Sequence, residues 1–495
     1  MRPGGPRPRY RGALAVWLML MAVPAGAQVA QLSSQSLFYY QSASNYAGNS
    51  LAADGGLIYT DNVQRTSSGS GSALLMAGLS GDTAREGTRL DYHLASNLAL
   101  LKYLSGTYPT RLTGYLDGLA TLKIVPGFFS WIVRESYSQV QINVYTPVTP
   151  ENLVSLNYIT TGPRFTVRPT LRTSVTLDLL YSYLATSSAA AQYANFDNHR
   201  YGGNLNIERA FTETASLYLK GHYEKVDFKD QTAYNNFSVG SATVGYKLID
   251  GRTVLDLSGG YSQLRVFDVL GSVESIGGSR ETLTTEKFDE PIWGVEISRL
   301  ITPSQRVALT ASQQFTDAAS AFRLGFDQAV PTIAPQLASG DAFKQREVGL
   351  NWRFQGSRSS LTVGLIAYQQ RYVIVTATAT DRDMKIANAL FDRQLSPVLR
   401  WDIGVSYQRQ EQIGAPAVGV PAQSADTIGA LTSLNWQVGE RLALRFLYAH
   451  SHQTGTYSDN QIGVIASWAL VGAQARMMPS SPALGPISPM STRSP

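Results

Sequence analysis

Hydrophobic and polar positions alternate with a period of two along most of the chain. Before a Thr-Pro-Ser-Gln break at 302–305, Trp293, Val295 and Ile297 fall on one face, with Gly294, Glu296 and Ser298 on the other. After the break, Val307, Leu309, Ala311 and Phe315 oppose Ala308, Thr310, Ser312 and Gln314. Period two marks a half-buried strand, so the break joins two strands in a hairpin. The same division sets Leu171, Thr173, Val175, Leu177, Leu179, Tyr181 and Tyr183 against Arg172, Ser174, Thr176, Asp178 and Ser182. It recurs with Val348, Leu350, Trp352 and Phe354, with Leu399, Trp401, Ile403, Val405 and Tyr407, and with Leu442, Leu444, Phe446 and Tyr448. These strands run about 10 to 14 residues, roughly twice the usual globular length and enough to cross a bilayer at a tilt.

The connections sort into two classes. Tight turns are expected near Pro169, Thr212, Asp250, Thr302, Gly356, Ser396 and Gly439; long segments rich in Ala, Ser, Gly, Asp and Gln occupy 184–198, 267–283, 318–342 and 411–425. Short turns at one rim and long loops at the other are the habit of outer-membrane barrels. Turn spacing averages about 45 residues, which fits 18 to 20 strands (range 16 to 20) between Ala53 and Leu470. The expected fold is therefore all-β: a transmembrane antiparallel β-barrel with short periplasmic turns and longer extracellular loops. A soluble β sandwich gives its turns no reason to sort by length.

The first residues place the chain in an exporting cell. MRPGGPRPRYRGALAVWLMLMAVPAGAQ combines four arginines, an apolar run from Ala13 to Val23, and a small-residue cleavage site between Ala27 and Gln28. It reads as a secretory signal peptide. Removing it takes the formal charge from +5 to +1, so no nucleic-acid partner is indicated. The chain has no cysteine, which leaves stability to backbone pairing and burial. The organisation expected is signal peptide 1–27, a periplasmic segment 28–52, the barrel 53–470, and a Pro/Ser-rich disordered tail 471–495 in the outer membrane of a Gram-negative bacterium. Outer-membrane lipid and the barrel assembly machinery are the implied partners. About 25 residues precede the first strand, too few for a globular plug, so any pore is narrowed by its own loops and side chains.

Charge follows the same alternation. An arginine on the lipid face at mid-depth costs about 2 to 4 kcal/mol, and the polar face accordingly carries Arg172, Asp178, Asp256, Arg353, Arg400, Asp402 and Arg445. With Lys220 and Glu296 these are the expected lumen-lining residues, and their signs nearly cancel. Arg209 and Arg299 sit on the apolar face three residues before a tight turn, and Lys247 and Arg393 occupy the same place. Near a membrane rim such a cation costs about 0 to 1 kcal/mol and reaches the headgroups, so these four are expected to mark the periplasmic interface.

Catalytic chemistry finds little footing. The five histidines (His93, His199, His222, His450, His452) form no His-Glu-x-x-His spacing, and no Gly-x-Ser-x-Gly elbow occurs. His450 and His452, at i and i+2, share a strand face and are more often a polar rim than a metal chelate. No catalytic residue, metal or cofactor is assigned.

The stretch GGLIYTDNVQRTSSG, with Tyr59, Thr60, Asp61, Asn62 and Val63, and the hairpin SRLITPSQRVALTASQQFTDAASAF resemble the outer-membrane β-barrel proteins associated with exosortase (PEP-CTERM) and exopolysaccharide loci. That resemblance implies a porin-like barrel linked to polysaccharide secretion, with polysaccharide or its export components as partners and no catalytic residues. The expected function is a conduit or docking component for exopolysaccharide export. A general diffusion porin for small solutes is the alternative, and an outer-membrane hydrolase a more distant one.

Overall fold

Valine, isoleucine, leucine and aromatic residues alternate with Ser, Thr, Asn and Gly, so each ribbon offers one face to hydrocarbon and one to water. The computed structural model describes residues 50–188, 196–230, 234–275, 278–317, 319–320, 340–374, 381–413 and 423–471, with the backbone alone for 268–275 and 278–284. The expected signal peptide with Ala27 and Gln28, nearly all of the segment before β1, and the tail after Val471 lie outside the described residues. Twenty strands are present: β1 (Ser50–Thr60), β2 (Ser72–Arg85), β3 (Leu90–Tyr103), β4 (Arg111–Val125), β5 (Phe129–Gln141), β6 (Leu153–Thr170), β7 (Thr173–Ser188), β8 (Asn198–Ala210), β9 (Ala215–Phe228) and β10 (Phe237–Asp250). The second half holds β11 (Thr253–Ser275), β12 (Gly278–Thr302), β13 (Gln305–Thr316), β14 (Phe343–Gln355), β15 (Ser359–Tyr372), β16 (Arg382–Ser396), β17 (Leu399–Gln412), β18 (Ser424–Gln437), β19 (Leu442–Gln453) and β20 (Tyr457–Val471).

Each strand pairs antiparallel with the next, and β1 pairs with β20, so the sheet closes without a free edge. The molecule is an up-and-down β-barrel with the upper of the strand numbers expected. The closing seam is fastened by the Tyr59–Val63 motif. Thr60 donates to Asp459 at 2.5 Å, Asn62 donates to the Ser458 carbonyl at 3.0 Å, and the Asp61 carboxylate accepts from the Asn460 amide and side chain at 2.8 and 2.7 Å. Arg65, fully enclosed and in the left-handed region (φ 51°), donates to Asp459 at 3.2 Å and to the Val148 carbonyl at 2.7 Å.

The two rims differ as the sequence implies. One carries turns of two to four residues at 86–89, 126–128, 171–172, 211–214, 251–252, 303–304, 356–358, 397–398 and 438–441. The turns at 86–89 and 126–128 are not among those expected. β3 alternates poorly toward its far end, where Ala99, Leu101 and Tyr103 point inward into an interior cluster, whereas the inner face of β4 carries Arg111, Thr113, Asp117 and Thr121. The other rim has longer connections, with two exceptions at 276–277 and 454–456. The expected loop 267–283 is a correction: β11 and β12 stay paired from Val269↔Thr284 to Ser275↔Gly278, extending one hairpin beyond the wall.

Outward-facing aromatics form two belts. Exposed Trp131, Trp401, Trp436 and Trp468 lie within a few residues of the short-turn rim, and exposed Tyr181, Tyr201, Tyr223, Tyr261 and Tyr407 lie about nine residues from it. Nine residues at about 3.3 Å each, tilted by about 40°, rise about 23 Å, which matches an apolar band of about 25 Å.

This register generates a test. Leu177 faces outward and Thr176 inward, paired with Thr166 and Asn206. Leu177→Arg should cost about 2 to 4 kcal/mol and lower the yield of heat-modifiable barrel on a gel, while Thr176→Arg folds nearly normally. Equal yields would mean that the two faces are reversed.

Candidate functional site: the barrel lumen

The interior has two zones, and each follows from what the strands send inward. Near the short-turn rim many inward side chains are charged, and several are paired. Arg164 holds Asp178 through two bonds of 2.6 and 2.7 Å, Lys123 holds Asp91 at 2.7 Å, and Arg134 lies 3.3 Å from Asp117. Arg400 donates to Asp402 at 2.7 Å with Asp392 at 3.9 Å; Asp402 also accepts from Ser433 and Asn435, and Asn435 accepts from Arg445 at 2.7 Å. On the opposite wall Tyr218 donates to Asp256 at 2.5 Å, and the Lys220 ammonium sits 4.5 Å over its ring. The Tyr218 ring crosses Gly245, where an added Cβ would come within 2.1 Å of Cζ. Tyr218 is therefore a pinned and buried wall residue, not a free platform for a sugar.

Among the expected lumen residues, Asp178, Lys220, Asp256, Glu296, Arg353, Arg400, Asp402 and Arg445 occupy inner-face positions. Arg172 is a correction: it lies in the two-residue turn between β6 and β7, exposed, and donates to the Phe211 carbonyl at 3.4 Å. Of the expected rim cations, Arg209, Arg299 and Arg393 face outward beside short turns, and Arg393 stands opposite Trp401. Lys247 is a second correction. It pairs with Asp256, which pairs in turn with Glu296, so all three share the inner face. The cause is bulge chemistry. β12 and β16 each shift register just before their turns, at Leu300/Thr302 and Gln394/Ser396, whereas β10 and β11 pair without a shift to Asp250↔Thr253. One extra residue reverses parity, so the same spacing from a turn points in opposite directions.

The half toward the long connections is filled. Inward apolar residues gather into clusters, one around Leu156, Tyr158, Leu184, Phe343 and Tyr372, another around Val226, Phe228, Phe237 and Leu264. Segments of the connections fold in with them: Val144, Asp317, Ala319 and Ala342 are all buried. The anchor is Arg200, 1% exposed, which reaches Asp317 at 2.5 and 3.0 Å, Glu224 at 3.2 Å and the Ser320 hydroxyl at 3.0 Å. Burial pushes the Asp317 carboxyl up, but the Arg200 guanidinium outweighs it and holds the group below the ordinary aspartate range. Sequence reasoning misses this cluster because its members lie on separate strands and a connection, up to 120 residues apart. The one local signal is the polar inner face of β8, Asn198, Arg200 and Asn204, next to the TDAAS segment that closes the second family-like motif.

Histidine chemistry stays modest. His450 and His452 face outward, and His450 Nδ1 lies 2.9 Å from Asn460 Oδ1. Among the described residues no group of three or more His, Cys, Asp or Glu is placed to hold a metal.

The Arg400 cluster provides a second test. Asp402→Ala would leave a buried guanidinium with only Asp392 at 3.9 Å, at a cost of about 3 to 5 kcal/mol. Denaturant midpoints in detergent should fall clearly for Asp402→Ala and little for the exposed turn variant Arg172→Ala.

No family model matches the chain, and no curated protein is similar to it in sequence. Solved structures align with it at low similarity. The FrpB iron transporter from Neisseria meningitidis (F5-1 variant) aligns at 9% identity over 86% of this chain and 83% of its own, with a TM-score of 0.46. The siderophore receptor PiuA from Acinetobacter baumannii gives 8%, 86%, 82% and 0.45, and the ferric yersiniabactin uptake receptor FyuA from Yersinia pestis gives 10%, 86%, 81% and 0.40. At this distance the likeness concerns the barrel wall and carries nothing about cargo. The chain is a β-barrel of the Gram-negative outer membrane.

Proposed function

We propose that the barrel is a gated conduit for an exported polysaccharide, serving as the outer-membrane component of an exopolysaccharide secretion system. The observation that carries this reading is the Arg200 anchor, which ties the connection between β13 and β14 into the lumen through Asp317 and Ser320. A closure held by one ion cluster is a closure that can be released. Below it, the paired carboxylates and cations nearly cancel, a lining suited to a neutral or weakly charged glycan. The two stretches that resemble exosortase-associated barrels end on these devices, one on the seam and one on the anchor. A general diffusion porin is the second reading; the polar lower lumen favours it, and the packed apolar half weighs against it.

Arg200→Ala leaves Asp317 and Glu224 buried without their cation, so the anchored segment should leave the lumen. In planar bilayers the wild-type barrel should conduct weakly and Arg200→Ala several-fold more, with both heat-modifiable on gels. Because the Asp317 pKa is depressed, its stabilisation is present above the ordinary aspartate value of about 3.9 and is lost as pH falls through the lowered one. The wild-type barrel should therefore stay closed from pH 7 to about pH 4. Deleting the gene should reduce released polysaccharide and leave uptake of a small hydrophilic antibiotic unchanged. Normal polysaccharide with impaired uptake would replace the export reading by the porin.

A further inference from the structure

The wall forks between β12 and β13. Their ladder ends at Trp293↔Gln313; beyond it β12 continues with β11 alone, and β13 with β14 alone. Gln313 donating to the Pro291 carbonyl at 2.7 Å and Lys344 meeting Glu290 at 2.7 Å cross the fork. The cleft is a cavity of about 520 Å³, lined by Lys287, Lys344, Arg346 and Arg371, with Phe315 and Val373 among its apolar walls and Asp289 and Glu290 as its carboxylates.

Its cations are arranged against one another. Arg265 stands directly opposite Lys287 on one arm, and Lys344 directly opposite Arg371 on the other. Like charges facing across a ladder destabilise it. Lys344 and Arg371 find partial relief in Glu290 and Asp383, but among the described residues Lys287 and Arg346 meet no carboxylate; Arg346 donates instead to Gln313 at 2.7 Å. Lys287, Lys344, Arg346 and Arg371 against Asp289 and Glu290 leave the cleft with more cations than carboxylates.

Position says which anion. Lys225, Arg265 and Arg409 face outward two to four residues beyond Tyr223, Tyr261 and Tyr407, at the boundary of the apolar band on the long-loop side, with Lys225 meeting Asp227 and Arg409 meeting Glu411 on their own strands. With the cleft residues and Lys385 they run from β9 to β17. On the remaining strands, β18 through β20 and β1 through β8, the outward positions at this height hold neutral residues, the histidines His199, His450 and His452, and Asp426; Lys102 is the one Lys or Arg among the described residues. Long connections face the exterior in this class of barrel, so the cations border the outer leaflet.

We propose that the cleft between β12 and β13 binds the phosphate groups of a phosphorylated glycolipid of the outer leaflet, with Lys287, Lys344 and Arg346 as the phosphate contacts. Arg forks and Lys point charges suit phosphate oxygens, and the pairs that repel one another in the empty cleft become mutual supports around an anion. The glycolipid would also bridge the two arms that the ladder leaves unjoined. This assignment stands independently of the cargo proposed above.

The test uses purified full-length barrel in neutral detergent and native mass spectrometry with three probes: bisphosphorylated lipid A, the same lipid enzymatically dephosphorylated, and inorganic phosphate. Lys287→Gln with Arg346→Gln breaks no described ion pair, so the double variant should keep its heat-modifiable gel shift. The expected result is occupancy by the bisphosphorylated lipid about tenfold above the dephosphorylated one, lost in the double variant and kept in a control with Arg209→Gln and Arg299→Gln at the opposite rim. Equal binding of both lipids would reduce the cleft to apolar adsorption. Equal loss in the control would make the effect general charge. Displacement by millimolar inorganic phosphate would make it a free-anion site, and any of these three outcomes overturns the proposal.

Discussion

Every backbone amide and carbonyl that crosses hydrocarbon must find its partner within the sheet, because lipid offers none. That requirement makes the seam between β1 and β20 the contact on which the rest depends. Nineteen neighbouring ladders form between strands close in sequence, while this one joins residues about 400 positions apart. A closing pair of such separation gains little from local propensity. The molecule adds side chains to it: Thr60, Asp61, Asn62 and Arg65 all bond to the Ser458–Asn460 stretch. A motif that looked like a recognition signature in one dimension is a fastening in three.

Closure fixes inside and outside, and from that point parity governs each strand. Outward positions were legible in the sequence wherever the inner face was polar, as in β7, β14, β17 and β19, since the contrast between Leu177 and Asp178 or between Trp401 and Asp402 survives in any window. The signal fades where the inner face is itself apolar. In β3 the inner face toward the long connections is apolar, with Ala99, Leu101 and Tyr103 in an interior cluster, so the alternation fades there. Bulges remove the signal differently. Lys247 and Arg299 stand at the same distance from their turns, yet a single register shift at Leu300/Thr302 sends one into the lumen and the other to the lipid. Periodicity reports on a ladder only as long as the ladder is regular.

The lumen divides along the same line. Near the short turns many charges meet a partner on an adjacent strand, so their residues alternate predictably and most were readable. Near the long connections, the interior is completed by chain that leaves the wall and returns. Arg200, Glu224 and Asp317 come from two strands and a connection, and no local window contains them together. An isolated buried guanidinium would be costly, and two carboxylates with a hydroxyl make the burial tolerable. The cluster consequently acts as a positional lock: it favours the inserted arrangement of the 317–320 segment over every arrangement in which Arg200 lacks a partner.

The fork between β12 and β13 shows the opposite treatment of charge. In the lumen Arg164, Lys123, Arg134 and Arg400 each meet a carboxylate across the ladder or along it, although Arg306 and Arg353 face each other. On the outer wall beside the fork, Arg265 faces Lys287 and Lys344 faces Arg371. Both arrangements lie in one sheet with one backbone geometry, so the difference is one of surroundings. An enclosed charge depends on protein partners, whereas a charge at the edge of the apolar band borders headgroups that bring their own anions. The outward cations beside the fork sit at that edge. They are tolerable there only if that side is anionic, which is the condition an outer leaflet of phosphorylated glycolipid meets.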